Sequence, residues 1–183
     1  MNTAADYERM ISQYDREGLL QLWKTLEENG YVSGWEPGKA FEYLMLRAFQ
    51  IEGAEVRWPY SVRIDGEELE QIDGTVYTDG LSCLIECKDE RGRVNVEPIA
   101  KLRNQLLRRP SGVIGVIFSH HGFTEPAITL ARFTAPQTIL LWTGEELAFA
   151  LENNYIRRGL VAKYRGCVEQ GIPDYNIRIE RLI

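Results

Sequence analysis

The segment VIGVIFS, residues 113–119, limits what this chain can fold into more than any other stretch. It is uncharged and shows no alternation of period two. A short apolar run of that kind reads as a strand buried on both faces, which requires a sheet covered by helices on each side. TILLW at 138–142 reads as a second buried strand. Between the two, Thr124 is placed to cap a short helix containing Ala127, Leu130 and Ala131.

Upstream, the pattern changes to strands joined by tight turns. Residues 54–64, 69–78 and 81–88 are divided by the turn pairs Asp65-Gly66 and Asp79-Gly80. This predicts a three-stranded antiparallel meander. Helical spacing of apolar residues covers 4–29, through Tyr7, Met10, Ile11, Tyr14, Leu19, Leu22, Trp23 and Leu26, with a division expected at Gly18 and a stop at Gly30. Ser33 and Glu36 have capping-box spacing and Pro37 suits a first turn. A helix is therefore expected from there to about Gln50, with Phe41, Leu44, Met45 and Ala48 as its apolar stripe. A further helix follows Glu97-Pro98 to about Arg109, and Thr143 with Glu146 forms another capping box. The expected fold is α/β: a mixed central sheet, antiparallel meander plus parallel strands, flanked by α-helices. At 183 residues one domain is expected, with a core at 36–147 and helical extensions at 1–35 and 148–183.

Charge and cysteine usage narrow the function classes. Net charge is −6, which opposes non-specific coating of nucleic acid. The distribution is uneven: residues 88–109 carry +4 and the remainder −10. There is no apolar run long enough to span a membrane, and the acidic N-terminus MNTAADYERM lacks the apolar region of a signal peptide. Three cysteines without framework spacing suit a reducing compartment, so a cytoplasmic location is expected.

A two-residue turn at Asp79-Gly80 places Thr78 opposite Leu81, and continuing that register places Asp73 opposite Glu86. Lys88, two residues on, shares the face of Glu86 and would pair with Gln71. Two carboxylates at cross-strand distance repel unless a cation lies between them, and carboxylate oxygens suit magnesium. The alternative is an ordinary ion cluster on a solvated sheet face. Against it stands the apolar strand LSCLIECK, which looks central, and Glu42, a charge beside the apolar stripe of the preceding helix. The other face of the strand carries Cys83, Ile85 and Cys87, read as core rather than as a metal site. His120-His121 reads as a loop turn, with metal or phosphate contact as the competing role. Gln105 is either helix surface or a residue near the site.

These residues together resemble the PD-(D/E)XK nucleases. A helix glutamate, an Asp, a Glu-x-Lys at a strand end, then a helix and further strands is the ordered pattern of that superfamily. IDG at 72–74, IECKD at 85–89 and SHHGFTEPA at 119–127 look most like Mrr-type restriction endonucleases, over about residues 36–147. The resemblance implies a metal-dependent endonuclease acting on DNA, in a defence, restriction or repair setting, with Mg²⁺ as cofactor and Mn²⁺ as substitute. It implies metal ligation by Asp73, Glu86 and the Cys87 backbone carbonyl, water orientation by Lys88 and support from Glu42. Arg91, Arg93, Lys101, Arg103, Gln105, Arg108 and Arg109 form the expected nucleic-acid contact surface. Ile72 stands where the superfamily name has proline, which is not a ligand. Residues 1–35 are too short for the separate DNA-reading domain of many Mrr-type enzymes, so specificity is expected from nucleic-acid shape, a homodimer or a partner protein. Two alternatives stay open: a nucleic-acid-binding module with an idle site, and a protein-interaction scaffold.

Overall fold

The computed structural model describes residues 2–182. Two helices open the chain, α1 (Ala4–Ser12) and α2 (Arg16–Asn29), followed by α3 (Lys39–Ile51). Five strands come next: β1 (Glu55–Arg57), β2 (Tyr60–Ile64), β3 (Glu67–Ile72), β4 (Gly74–Thr78) and β5 (Leu81–Lys88). Then α4 (Val96–Leu106), β6 (Val113–Ser119), α5 (Glu125–Arg132), β7 (Ile139–Thr143), α6 (Gly144–Glu152) and α7 (Ile156–Gln170) complete the domain, before a 3₁₀ turn at Ile177–Leu182.

The main sheet has strand order β1-β4-β5-β6-β7. The β1, β4 and β5 strands are antiparallel, whereas β5, β6 and β7 run parallel. Alternation along the strands feeds two cores. Cys83, Ile85, Cys87, Val116, Phe118, Leu140 and Trp142 pack against α1, α2, α3, α6 and α7. Leu84, Ile117, Ile139 and Leu141 face Ile99, Leu102 and Leu106 of α4 and Ala127 of α5. Each large side chain buried this way contributes roughly 1.5–3 kcal/mol. The expected mixed sheet, its buried central strands and its flanking helices are present.

Several local expectations are corrected. The first helical stretch divides at Gln13–Asp15, not at Gly18, because the Asp15 carboxylate caps α2 by accepting the Gly18 N–H at 2.9 Å. The Ser33/Glu36 box does not form. Instead α3 begins at Lys39 behind Gly38, whose left-handed backbone (φ 79°) turns the chain into the helix. The meander is not continuous. β2 and β3 leave the main sheet as a separate two-stranded ribbon, and β1 takes their place beside β4. Two patterned strands and a good turn specify a hairpin, but not the sheet it joins. That choice belongs to the packing of α3 on β4. A Cβ on Gly74 would approach the Leu46 side chain to 2.6 Å, so glycine is what lets helix and strand come this close.

Candidate active site

The β4–β5 turn sets the site. Asp79 and Gly80 both have positive φ, 50° and 79°, as a two-residue hairpin of matching twist requires. The ladder then runs from Thr78↔Leu81 to Gly74↔Ile85. There it stops, one pair short of Asp73 and Glu86, because the chain bends away into β3. Beyond that point Glu86, Cys87 and Lys88 pair with Ile117, Phe118 and Ser119 of β6. On the other side a gap opens, and Asp73 fills it: its Oδ2 accepts the Cys87 N–H at 2.8 Å.

Glu86 is 1% exposed, and two ammonium groups hold it. Lys88 Nζ lies 2.9 Å from Oε1. Lys101, reaching in from α4, donates to both Oε1 and Oε2 at 2.9 Å. Glu42, near the start of α3, pairs with Lys39 at 2.6 Å, one helical turn back. Burial pushes the Asp73 carboxyl up to about 7, and the negative charges of Glu86 and Glu42 push the same way against the Cys87 N–H and Lys101. Burial also raises Glu42, against its bond to Lys39. Burial opposes the Lys88 ammonium, yet the adjacent Glu86 and then Asp73 carry its pKa above the usual lysine value. Burial drives the Cys87 thiol well upward, as expected of a core cysteine.

Asp73, Glu86, Lys88 and Glu42 are thus brought together. Gln71 is not. It pairs with Ser61 in the β2–β3 ribbon and its side chain bonds Glu68, so the expected Lys88–Gln71 pair is absent. Among the described residues no group of three or more His, Cys, Asp or Glu side chains is set to chelate an ion unaided. The donor set still fits magnesium, which takes one or two carboxylates and completes its octahedron with water and phosphate. Burial is the main reason that the Asp73 carboxyl is raised, so a cation beside it would favour its ionised form.

The expected nucleic-acid residues separate into groups. Arg91, Arg93 and Arg103 are exposed. Arg108 and Arg109 both close on buried Glu70, clamping α4 to the β2–β3 ribbon. Gln105 is not helix surface: it is buried and donates to the Gln71 carbonyl at 3.2 Å, two residues before Asp73. Lys101 is exposed along its side chain, but its ammonium is turned onto Glu86. His120 is also more than a turn residue. Its Nδ1 meets Asp89 Oδ1 at 2.7 Å, its side chain is largely buried, and its ring lies 4.8 Å from that of Trp23 in α2. The i,i+3 spacing of Lys39 and Glu42 was a visible signal of their pairing. Nothing in the order of residues links Lys101 to Glu86 or Asp89 to His120, since those contacts join separate elements.

Comparison with known proteins identifies the fold and the family. The small subunit R.BspD6I2 of the heterodimeric restriction endonuclease R.BspD6I superposes with TM-score 0.53 at 13% identity, over 88% of this chain and 92% of that one. A crystal structure of a protein of unknown function matches at TM-score 0.47 and 18% identity, covering 72% of this chain and 77% of the other. The MspJI restriction endonuclease, solved with a 27-mer oligonucleotide, matches at TM-score 0.42 and 18% identity, over 96% of this chain but only 39% of its own. No curated protein matches the sequence. A family model for restriction endonucleases, Mrr_cat, matches residues 36–151, the span that contains Glu42, Asp73, Glu86 and Lys88, and the chain belongs to that family.

Proposed function

We propose that this chain is a divalent-metal-dependent endonuclease that hydrolyses phosphodiester bonds in DNA, as a single nuclease domain. One observation carries the reading: Asp73, Glu86 and Lys88 meet in the gap where β4 parts from β5, with Asp73 bonded to the Cys87 N–H. Asp73 and Glu86, with the Cys87 carbonyl, are the residues to hold Mg²⁺ or Mn²⁺. Bound there, the cation would polarise the phosphate and lower the pKa of a water. Lys88 positions the attacking water and offsets charge developing on phosphorus-bound oxygens. Glu42, held by Lys39, adds negative potential behind Asp73. Arg91, Arg93 and Arg103 are placed for backbone phosphate contacts that orient the duplex without reading sequence. The R.BspD6I relative is one subunit of a heterodimer, which supports a partner protein or second copy as the source of specificity.

A second reading is favoured by one feature: Glu86 already has two ammonium partners. A carboxylate so satisfied suits an idle nuclease fold that only binds nucleic acid. Plasmid cleavage with Mg²⁺ or Mn²⁺ against EDTA separates them. Metal-dependent nicking that disappears in Lys88→Ala supports the enzyme. Intact plasmid together with retained gel-shift binding supports the idle module.

A further inference from the structure

The two lysines on Glu86 are not equivalent. Lys88 lies on the same strand two residues away, so its reach is fixed by β5, and its side chain is 23% exposed. Lys101 comes from α4, a different layer, and its side chain is 45% exposed. Yet it is Lys101 that spans both carboxylate oxygens, at 2.9 Å each. A carboxylate this buried needs a counter-charge. Lys88 supplies one permanently. Lys101 supplies a second from the end of a flexible four-carbon stem that can swing without moving the helix.

A dication bound by Asp73 and Glu86 would compete for the oxygens Lys101 now holds, and an ammonium left beside it would be repelled. Lys101 is the side chain free to move, because it is the more exposed of the two, 45% against 23% for Lys88. Once displaced, its charge lies at the mouth of the site. The substrate there is a phosphate.

We propose that Lys101 is an exchangeable counter-ion of the metal site: it neutralises Glu86 while no dication is present, competes with the dication for that carboxylate, and moves to the scissile phosphate when the dication enters. This rests on the metal-site reading above. It makes Lys101 part of the site rather than one of the outer phosphate contacts, and it makes metal binding weaker in free protein than the two carboxylates alone would give.

The test is calorimetric Mn²⁺ titration of the full chain without DNA, for wild type, Lys101→Met, Arg103→Met and Asp73→Ala, with thermal melts to confirm folding. Arg103 carries the same charge two residues away on α4 but makes no contact with Glu86, so its loss reports only the general field. If Lys101 holds Glu86 about nine-tenths of the time, its removal tightens Mn²⁺ binding about tenfold. Arg103→Met should shift it less than about twofold. Lys101→Gln, which keeps a donor but no charge, covers the case in which Lys101→Met fails to fold, and should also bind more tightly. At saturating Mn²⁺ the Lys101 variants should nick plasmid at least tenfold more slowly. Asp73-dependent binding that is no tighter in the Lys101 variants, or tightened equally in Arg103→Met, overturns this proposal alone. Full nicking rate at saturating metal overturns the transfer to phosphate. Binding unaffected by Asp73→Ala overturns the site assignment, and this inference with it.

Discussion

Two buried glutamate–lysine groups among the described residues are built in opposite ways. At the base of α6, Lys163 is fully buried and donates to Glu146 Oε1, the Leu141 carbonyl and the Tyr175 carbonyl at 2.6–2.7 Å. All three of its protons have acceptors. Glu146 in turn accepts the backbone N–H groups of Thr143 and Ile177. Burial still lowers the Lys163 pKa against the pull of Glu146. At the Glu86 cluster the partners are side chains reaching in from solvent, and Asp73 and Glu42 crowd the same space. Backbone donors make the first group a fixed joint between β7, α6, α7 and the C-terminal turn. Partly solvent-exposed lysine side chains and an acid pushed up to about 7 make the second the group suited to an exchange of partners. Burial alone does not distinguish structure from function; the rigidity of the partners does.

The largest effect that bears on this contrast is at Asp73. Asp73→Ala should reduce plasmid cleavage at least about a thousandfold and remove the Mn²⁺ heat, whereas Lys88→Ala should reduce cleavage by about 10²–10³ and leave that heat in place. Wild-type cleavage by Lys88→Ala, or wild-type Mn²⁺ affinity in Asp73→Ala, would collapse the distinction between ligand and water-positioning roles.

The closed pair should show its importance in stability instead. Lys163→Met strands the Glu146 charge in the core and is expected to cost about 3–5 kcal/mol in urea unfolding, while replacing both members with apolar residues restores much of it. A loss under about 1 kcal/mol in the single variant would mean that the group is not a joint.

A pH series separates the two groups further. In the folded chain Asp73 binds its proton with a pKa of about 7, above the ~3.9 of an unfolded carboxyl. The folded state therefore holds more protons between about pH 4 and 7, so metal-free stability falls as pH rises through that window and levels off above it. Asp73→Asn keeps an acceptor for the Cys87 N–H and removes the charge. Its stability in EDTA relative to wild type should grow from pH 5 to pH 8, to on the order of 2 kcal/mol after allowance for solvent screening. An advantage equal at both pH values would place the strain elsewhere.

The smallest effect is expected at Thr143, whose hydroxyl donates to Glu146 at 3.3 Å while its backbone N–H donates at 3.0 Å. Thr143→Ala keeps the backbone bond and should cost about 0.5–1 kcal/mol. A loss of several kcal/mol would show that the joint depends on side chains after all.

Much of the site was legible in sequence because it rests on local rules. The Asp79-Gly80 turn fixes the β4–β5 register within a few residues, and alternation puts Glu86 on one face and Cys87 on the other. The order Glu42, Asp73, Glu86, Lys88 carried the family, which the match over residues 36–151 bears out. Other contacts were not legible, for a shared reason. Gln71 was placed by extending the register past Gly74, where the ladder ends. The basic stretch at 88–109 was read as one contact surface, but Arg108 and Arg109 are committed to Glu70 and Lys101 to Glu86.

The sequence by itself determined what short-range sterics and periodicity govern: the turns, the buried parallel strands, the helical stripes and the pairing of residues near a two-residue turn. Only the tertiary structure decided where β4 leaves β5, which opens the gap that Asp73 enters, and which distant charges meet inside it. Lys101 on Glu86, Arg108 and Arg109 on Glu70, and His120 on Asp89 all reach their partners from elements far along the chain or from another layer. Charge acts through space with no sequence period. A lysine's place in the chain therefore records that it is available, and folding alone chooses the carboxylate it neutralises.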